Sequence, residues 1–334
     1  MSDTVIDAVS AVAVEHLSVE LLRDGRTIRP VSDVSFAVER GRSLAIVGES
    51  GSGKSVTLRA ILGLLPRGGR VVAGHVAVEG RTLKESRRNL GRGRDAHLSI
   101  VFQDPLAALN PVMSVGTQIA EAPRFVLGLT RRAARERALE LLRLVGIPDP
   151  VRRYEAFPHE LSGGTRQRVM IAVALSSEPR VLLCDEPTTA LDVTIQAQVL
   201  ALLADLRRDE GLALVFVTHD LGVAAEVAED LAVMYAGRIV ESGPVTELLS
   251  SPKHPYTLGL LESAIDVDTP ERIPLAIPGS LPEISRLPSG CPFHPRCFLA
   301  TPECATTDVE LWSVGEGRAS ACLHAERMTI RTRG

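Results

Sequence analysis

An α/β fold with a largely parallel sheet covered on both faces is predicted by three features of this chain. Five short apolar runs, at residues 44–47, 98–102, 181–184, 214–217 and 231–235, are rich in β-branched residues and do not alternate. Continuous apolar runs of that length suit strands buried on both sides. Helical patterns lie between them, and a glycine-rich loop at residues 48–55 joins the first run to a helix.

Residues 12–22 and 76–78 alternate more and predict an antiparallel flank. A helix opening at Lys54 is expected to reach Leu65, where Pro66 and the pair Gly68-Gly69 would stop it. Residues 105–162 separate two core strands by more than a normal crossover and read as a mostly helical insertion, a subdomain over about 104–175. Within it, Ala134, Ala138, Leu141, Leu142 and Val145 share one helical face, with arginines and glutamates opposite. Gly237 to Gly243 reads as a turn between short strands, and 246–263 as helical. Pro270, Pro274, Pro278, Pro282 and Pro288 forbid a long helix and predict an extended connector. The expected division is a core domain over 1–245 and a C-terminal extension over 246–334.

With 334 residues and 45% apolar content, the chain can bury a substantial core. Aromatics make up only 3%, so aliphatic side chains must dominate it. The net charge of −4 argues against a general nucleic-acid binder. The start, Met-Ser-Asp-Thr-Val-Ile-Asp, lacks the basic and apolar parts of a signal peptide, and no window approaches a bilayer span. A cytosolic protein is therefore expected, in which the five cysteines would not form structural disulfides.

The loop reads Gly48-Glu-Ser-Gly-Ser-Gly-Lys-Ser55. Backbone N–H groups of such a turn point inward and the next helix offers its positive end, so together they hold a nucleotide's phosphate tail. Lys54 can reach the β and γ phosphates, and the Ser55 hydroxyl can ligate Mg2+. The candidate phosphate-binding residues are Gly48, Ser50, Gly51, Gly53, Lys54, Ser55 and Val56. The run at 181–184 ends in Asp185 and Glu186. After a phosphate loop, the first acid is placed to hold Mg2+ and the second to polarise an attacking water; alone, two such acids would as readily be solvated. Ser162-Gly163-Gly164 opens a helix and offers a second anion site, although in isolation it would read as an ordinary N-cap. One ATP does not need two triphosphate-binding ends, so the second is expected to serve an ATP held by another subunit. Gln103 and His219 each follow a predicted strand and so fall at the ligand-binding edge of a parallel sheet. A lone Gln or His is more often structural.

The ordered set of phosphate loop, Gln103, Leu161-Ser-Gly-Gly-Thr165, Asp185-Glu186, Ala190-Leu191-Asp192 and His219 resembles the ATP-binding subunits of ABC transporters over nearly all of residues 12–245. The resemblance implies a P-loop ATPase of the ABC type, with two ATPs sandwiched head to tail between two such domains. Lys54, Ser55, Gln103, Asp185, Glu186 and His219 would serve one ATP; Ser55, Gln103 and Asp185 would hold Mg2+; Ser162, Gly163 and Gly164 would cap the partner's ATP; Asp192 would couple the two sites. Glu186 is the expected general base, and His219 would hold it and the γ-phosphate in place. Thr165 replaces the glutamine that commonly ends the signature. The family usually stacks adenine on an aromatic residue upstream of the loop; residues 15–30 contain no Phe, Tyr or Trp, and Leu21 or Leu22 would offer an aliphatic contact.

Residues 102–111, 157–162 and 254–261 are similar to segments of the dipeptide, oligopeptide and nickel importer ATPases. That similarity implies a peripheral protein at the cytoplasmic face of the membrane, paired with a second, related ATPase subunit and with two permeases, to which an extracytoplasmic substrate-binding protein delivers cargo. The segment around 104–125 would contact a permease. No nucleic-acid partner is implied. Soluble ABC ATPases of translation or repair are the other reading, but they commonly carry two cassettes or long insertions that this chain lacks. A non-catalytic nucleotide-binding scaffold is a third, against which Glu186 and His219 argue.

Cys291, Cys297, Cys304 and Cys322 lie in a helix-poor tail, while Cys184 sits apart in a core run. Four cytosolic thiols suggest a four-coordinate metal centre. Their spacings do not match paired Cys-x-x-Cys ribbons, whereas iron–sulfur clusters accept irregular spacing. Gly290 to Cys297 resembles the cluster-binding tail of the peptide-importer ATPases, which implies a [4Fe-4S] cluster on these four cysteines. Zn2+, with His294 or His324 as substitute ligands, is the alternative.

Overall fold

A computed structural model describes residues 10–83, 97–189, 191–263 and 276–328. The opening residues 1–9, Ala190, Pro270 and Pro274 lie outside the described residues, and so do the expectations placed on them.

In chain order the elements are β1 (Ser10–Arg23), β2 (Arg26–Glu39), β3 (Ser43–Val47), α1 (Lys54–Ile61), β4 (Arg70–Val78), β5 (Arg81–Thr82) and β6 (Leu98–Val101). Next come α2 (Pro105–Ala108), α3 (Val115–Phe125), α4 (Arg131–Leu144), α5 (Pro150–Tyr154), α6 (Gly163–Leu175), β7 (Val181–Asp185), α7 (Val193–Glu210), β8 (Ala213–Thr218) and α8 (Leu221–Val227). The chain continues with β9 (Asp230–Tyr235), β10 (Arg238–Pro244), α9 (Val245–Ser250), α10 (Pro255–Ser263), β11 (Trp312–Gly315) and β12 (Arg318–Ser320). Two compact units divide it: Met1–Val12, Val38–Arg42 and Ala77–Val215 form the first; Ala13–Ala37, Ser43–Val76 and Phe216–Gly334 form the second.

In the first unit β6 and β7 pair in parallel, Leu98 opposite Val181 through Val101 opposite Cys184. Every residue of β7 is buried, which explains its unbroken apolar sequence up to Asp185. The insertion is helical as its length suggests: α3, α4 and α6 pack on one another, with α5 against α4 and α6 against β6. Thr130 caps α4, and Ala134, Ala138, Leu141 and Leu142 are its buried face. The charged face carries the exposed pairs Arg132–Glu136 and Arg137–Glu140.

In the second unit the strands run in the order β11-β12-β10-β9-β3. β3 and β9 are parallel, Leu44 opposite Asp230 through Val47 opposite Val233. β9 and β10 are antiparallel, joined by Ala236 and Gly237, both at positive φ. Such a two-residue turn matches strand twist. The expected long turn from Gly237 to Gly243 is thus corrected: residues 238–244 form β10 itself. β2 and β1 are neighbours through Asp24-Gly25, also both at positive φ, and β4 lies beside β1.

The helix after the phosphate loop ends at Ile61 rather than Leu65. Gly63 takes the left-handed conformation, and Leu64 N–H bonds the Arg59 carbonyl at 2.8 Å while Gly63 N–H bonds that of Ala60 at 3.0 Å. That closure satisfies the last carbonyls and turns the chain before Pro66 is reached. Residues 246–263 are not one helix either. Glu241, fully buried, accepts the N–H groups of Lys253 and His254 and breaks the run between α9 and α10.

Three of the chain's few aromatics meet here: Tyr235 at the end of β9, Tyr256 of α10 and Phe293 of the tail, with ring centroids 4.6 to 5.3 Å apart. This cluster fastens the cysteine-bearing segment onto the sheet of the second unit.

Candidate functional site

The phosphate loop lies in the second unit between β3 and α1. Gly53 takes φ +111°, and a Cβ there would collide with the Pro30 carbonyl oxygen, so glycine is required. Lys54, 4% exposed, donates through Nζ to the carbonyls of Gly48 (2.7 Å) and Glu49 (3.0 Å). The Ser52 carbonyl accepts Gly237 N–H at 2.8 Å, bracing the loop on the β9–β10 hairpin. Glu49 N–H donates to Tyr256 Oη at 2.8 Å, and the Glu49 carboxylate is gripped by Arg296. His219 also belongs to this unit. It is exposed, directly after β8, and Asp220 beside it caps α8 through Gly222 and Val223 N–H.

In the first unit the parallel register decides where the acids fall. Two residues beyond the last pair, Val101 and Cys184, stand Gln103 and Glu186. Gln103 Nε2 donates to Glu186 Oε2 at 3.2 Å, and Thr189 Oγ1 donates to the same oxygen at 3.0 Å. Through Nε2 the Gln103 amide orients Glu186, and Thr189, which the sequence motifs do not single out, does so as well. Glu186 has φ +46°, an uncommon conformation for a non-glycine residue and of a kind that collects at functional sites. Asp185, 2% exposed, ends β7.

Ser162 is the N-cap of α6, its Oγ accepting Thr165 N–H at 3.4 Å and lying 2.8 Å from Thr165 Oγ1. Thr165, in place of glutamine, therefore joins the cap. Gly163 and Gly164 form the first turn, with Ser162 and Gly163 exposed. Asp192 caps the eighteen-residue α7 through Ile195 N–H at 2.9 Å and is exposed. Leu22 is exposed on β1, while Leu21 packs toward Gly69.

The four tail cysteines line one pocket in the second unit, with His254, His294 and His324. Burial pushes the thiols up: Cys297 to about 11, Cys322 to about 12, and Cys291 in the same direction. Cys322 Sγ accepts His324 N–H at 3.3 Å, and Cys304 Sγ lies 3.6 Å from His324 Nε2. His254, 1% exposed, is held neutral by burial, its pKa pushed down to about 3. Among the described residues no three His, Cys, Asp or Glu side chains converge on one point as a single metal ion needs. Cys184 is fully buried in β7, and desolvation raises its thiol steeply. No described helix is long and apolar enough to cross a membrane.

Comparison with known proteins gives concordant matches. Residues 31–189 match the family "ABC transporter", and residues 240–304 match "Oligopeptide/dipeptide transporter, C-terminal region". The oligopeptide transport ATP-binding protein OppD of Mycobacterium tuberculosis is 48% identical over 96% of this chain. This chain covers 52% of that protein, so it spans about half the length of the relative. A Brucella abortus protein described as a candidate peptide import ATP-binding protein is 47% identical over 92% of this chain and 93% of its own length. Among solved structures, cbiO1 of Clostridium perfringens, part of an ABC transporter complex, matches with TM-score 0.62 and 26% identity over 72% of this chain and 90% of its own. A dimeric ATP-binding cassette in a post-hydrolysis state with ADP and Pi matches with TM-score 0.61 and 27% identity, over 70% of this chain and 98% of its own.

Proposed function

Since this chain belongs to the family of ABC transporter ATP-binding proteins that includes peptide-import subunits, we propose that it hydrolyses ATP to energise peptide uptake across the cytoplasmic membrane. The observation that carries this reading is a strand-end glutamate held by two side-chain donors, Gln103 and Thr189, in a chain whose sequence also carries the phosphate loop. Lys54 and the loop N–H groups bind the triphosphate. Ser55, Gln103 and Asp185 offer hydroxyl, amide and carboxylate oxygens, the hard donors that suit Mg2+. When bound there, Mg2+ would neutralise charge on the phosphate oxygens. Glu186 takes a proton from the attacking water as its oxygen bonds to the γ-phosphorus and the bond to ADP breaks. His219 holds the γ-phosphate in line.

Ser162, Gly163 and Gly164 complete the pocket of a second, related ATPase subunit, and Asp192 couples the two. Exposure of the Ser162-Gly163 turn supports this role. Two permeases are the membrane partners. Val112 and Phe125, 79% and 74% exposed on the segment expected to meet them, support docking there. The protein would sit at the cytoplasmic face, with a substrate-binding protein on the opposite side. Reconstitution tests this: the complete transporter in vesicles accumulates labelled peptide only when MgATP is present, and ATP-independent uptake would overturn the assignment.

The tail is read as a [4Fe-4S] site on Cys291, Cys297, Cys304 and Cys322. Thiolates are the soft ligands such clusters take, the four line one pocket, and each would bind a different iron, so they need not converge on one point. A cluster would cross-link the segment and fold it. Anaerobically purified protein is expected to absorb in the visible and carry about four irons per chain, with Cys297→Ser losing both. Stoichiometric zinc without iron would refute it.

A further inference from the structure

One contact in the second unit joins the phosphate loop to the cysteine-bearing tail. Arg296 sits in the turn between Cys291 and Cys297, 8% exposed. Its guanidinium holds both carboxylate oxygens of Glu49, Nη1 to Oε2 at 2.6 Å and Nη2 to Oε1 at 2.9 Å. Glu49 is the second residue of the phosphate loop. Its own carbonyl accepts from Lys54, and its N–H is held by Tyr256. The guanidinium is itself fixed: Nε donates to the Pro278 carbonyl at 2.8 Å, and Nη1 reaches Tyr235 Oη at 3.4 Å. Leu281 of the same segment packs 3.6 Å from where a side chain on Gly51 would begin.

A bidentate pair is directional, and the buried Arg296 guanidinium does not tolerate loss of the half-buried Glu49 carboxylate. Any rearrangement of the cysteine turn must move Arg296, and Arg296 cannot move without moving Glu49 or leaving it unpaired.

We propose that Arg296 is a positioning residue for nucleotide binding, through which the four-thiol pocket sets the conformation of the phosphate loop. The state of the thiols and the affinity for MgATP are then linked, and the link is reciprocal. This rests on the reading of the loop as an ATP site. It assigns a task to Glu49, a position where the loop motif itself makes no demand on the side chain, and to the tail, which lies more than two hundred residues away in sequence.

A double-mutant cycle on the full chain tests it, with a fluorescent ATP analogue and Mg2+ as the probe. Arg296→Lys keeps the charge but loses the fork; Glu49→Gln keeps the shape but loses the charge, and changes no residue of the tail. Each is expected to weaken binding about tenfold, within the usual range for coupled sites, and the double variant no further than either single one. Saturating MgATP is expected to slow amide hydrogen exchange at Cys297, whose N–H bonds the His294 carbonyl, in the wild type and to leave it unchanged in Glu49→Gln. Unaltered affinity in folded single variants, additive losses, or equal protection of Cys297 in both proteins would overturn the proposal while leaving the ATPase reading intact. A wild-type chain that binds no nucleotide would instead overturn that reading.

Discussion

Replacing Glu186 with glutamine is expected to slow ATP turnover by about a hundred- to a thousandfold, the share a positioned general base commonly supplies. The geometry makes this substitution clean. Glu186 Oε2 accepts from Gln103 Nε2 at 3.2 Å and from Thr189 Oγ1 at 3.0 Å. A glutamine carbonyl oxygen can accept the same two bonds, so the side chain keeps its place and its size. What disappears is the charge and the basic oxygen that would receive the proton of water. Phosphate release by the assembled complex should fall while affinity for MgATP stays within about twofold, the pattern of an interaction made in the transition state. Turnover within about threefold of wild type would move the base elsewhere.

Lys54→Ala should remove most of the nucleotide affinity. Lys54 is 4% exposed, and its ammonium already lies among loop carbonyls, 2.7 Å from Gly48 and 3.0 Å from Glu49. The charge is therefore held where a triphosphate would arrive, with little water to screen it. Charge-assisted hydrogen bonds contribute about 1.5–3 kcal/mol, which corresponds to roughly a ten- to hundredfold loss in affinity. Titration with the fluorescent ATP analogue, beside a melting curve to establish folding, gives the number. Affinity unchanged in a folded variant would exclude Lys54 as the phosphate ligand.

Much of the strand set is legible in the sequence. Residues 44–47 and 181–184 are apolar at every position because both faces of β3 and β7 are buried, and such a run has no other stable home. The helical face of α4 was equally plain, since a 3.6-residue repeat of alanine and leucine has one reading. β2 was not identified. Its burial alternates irregularly, and Pro30 and three arginines or aspartates interrupt it, so its pairing with β1 depends on the Asp24-Gly25 turn rather than on its own pattern. The end of α1 is not legible, because Gly63 closes the helix at Ile61, four residues short of the Leu65 that the following proline predicts.

Chemistry carried by neighbours in the chain was readable in the same way. The phosphate loop, the Asp185-Glu186 step and the Ser162 cap each place their groups through one strand or one helix end, so local geometry follows from local order. Contacts between distant segments were different. The parallel register of β6 and β7 sets Gln103 on Glu186, across 83 residues, and the aromatic cluster of Tyr235, Tyr256 and Phe293 brings Arg296 onto Glu49, across 247. No local propensity encodes such distances. Side chains that far apart meet only because burying apolar surface forces their elements together, and the polar groups stranded by that packing must then find one another.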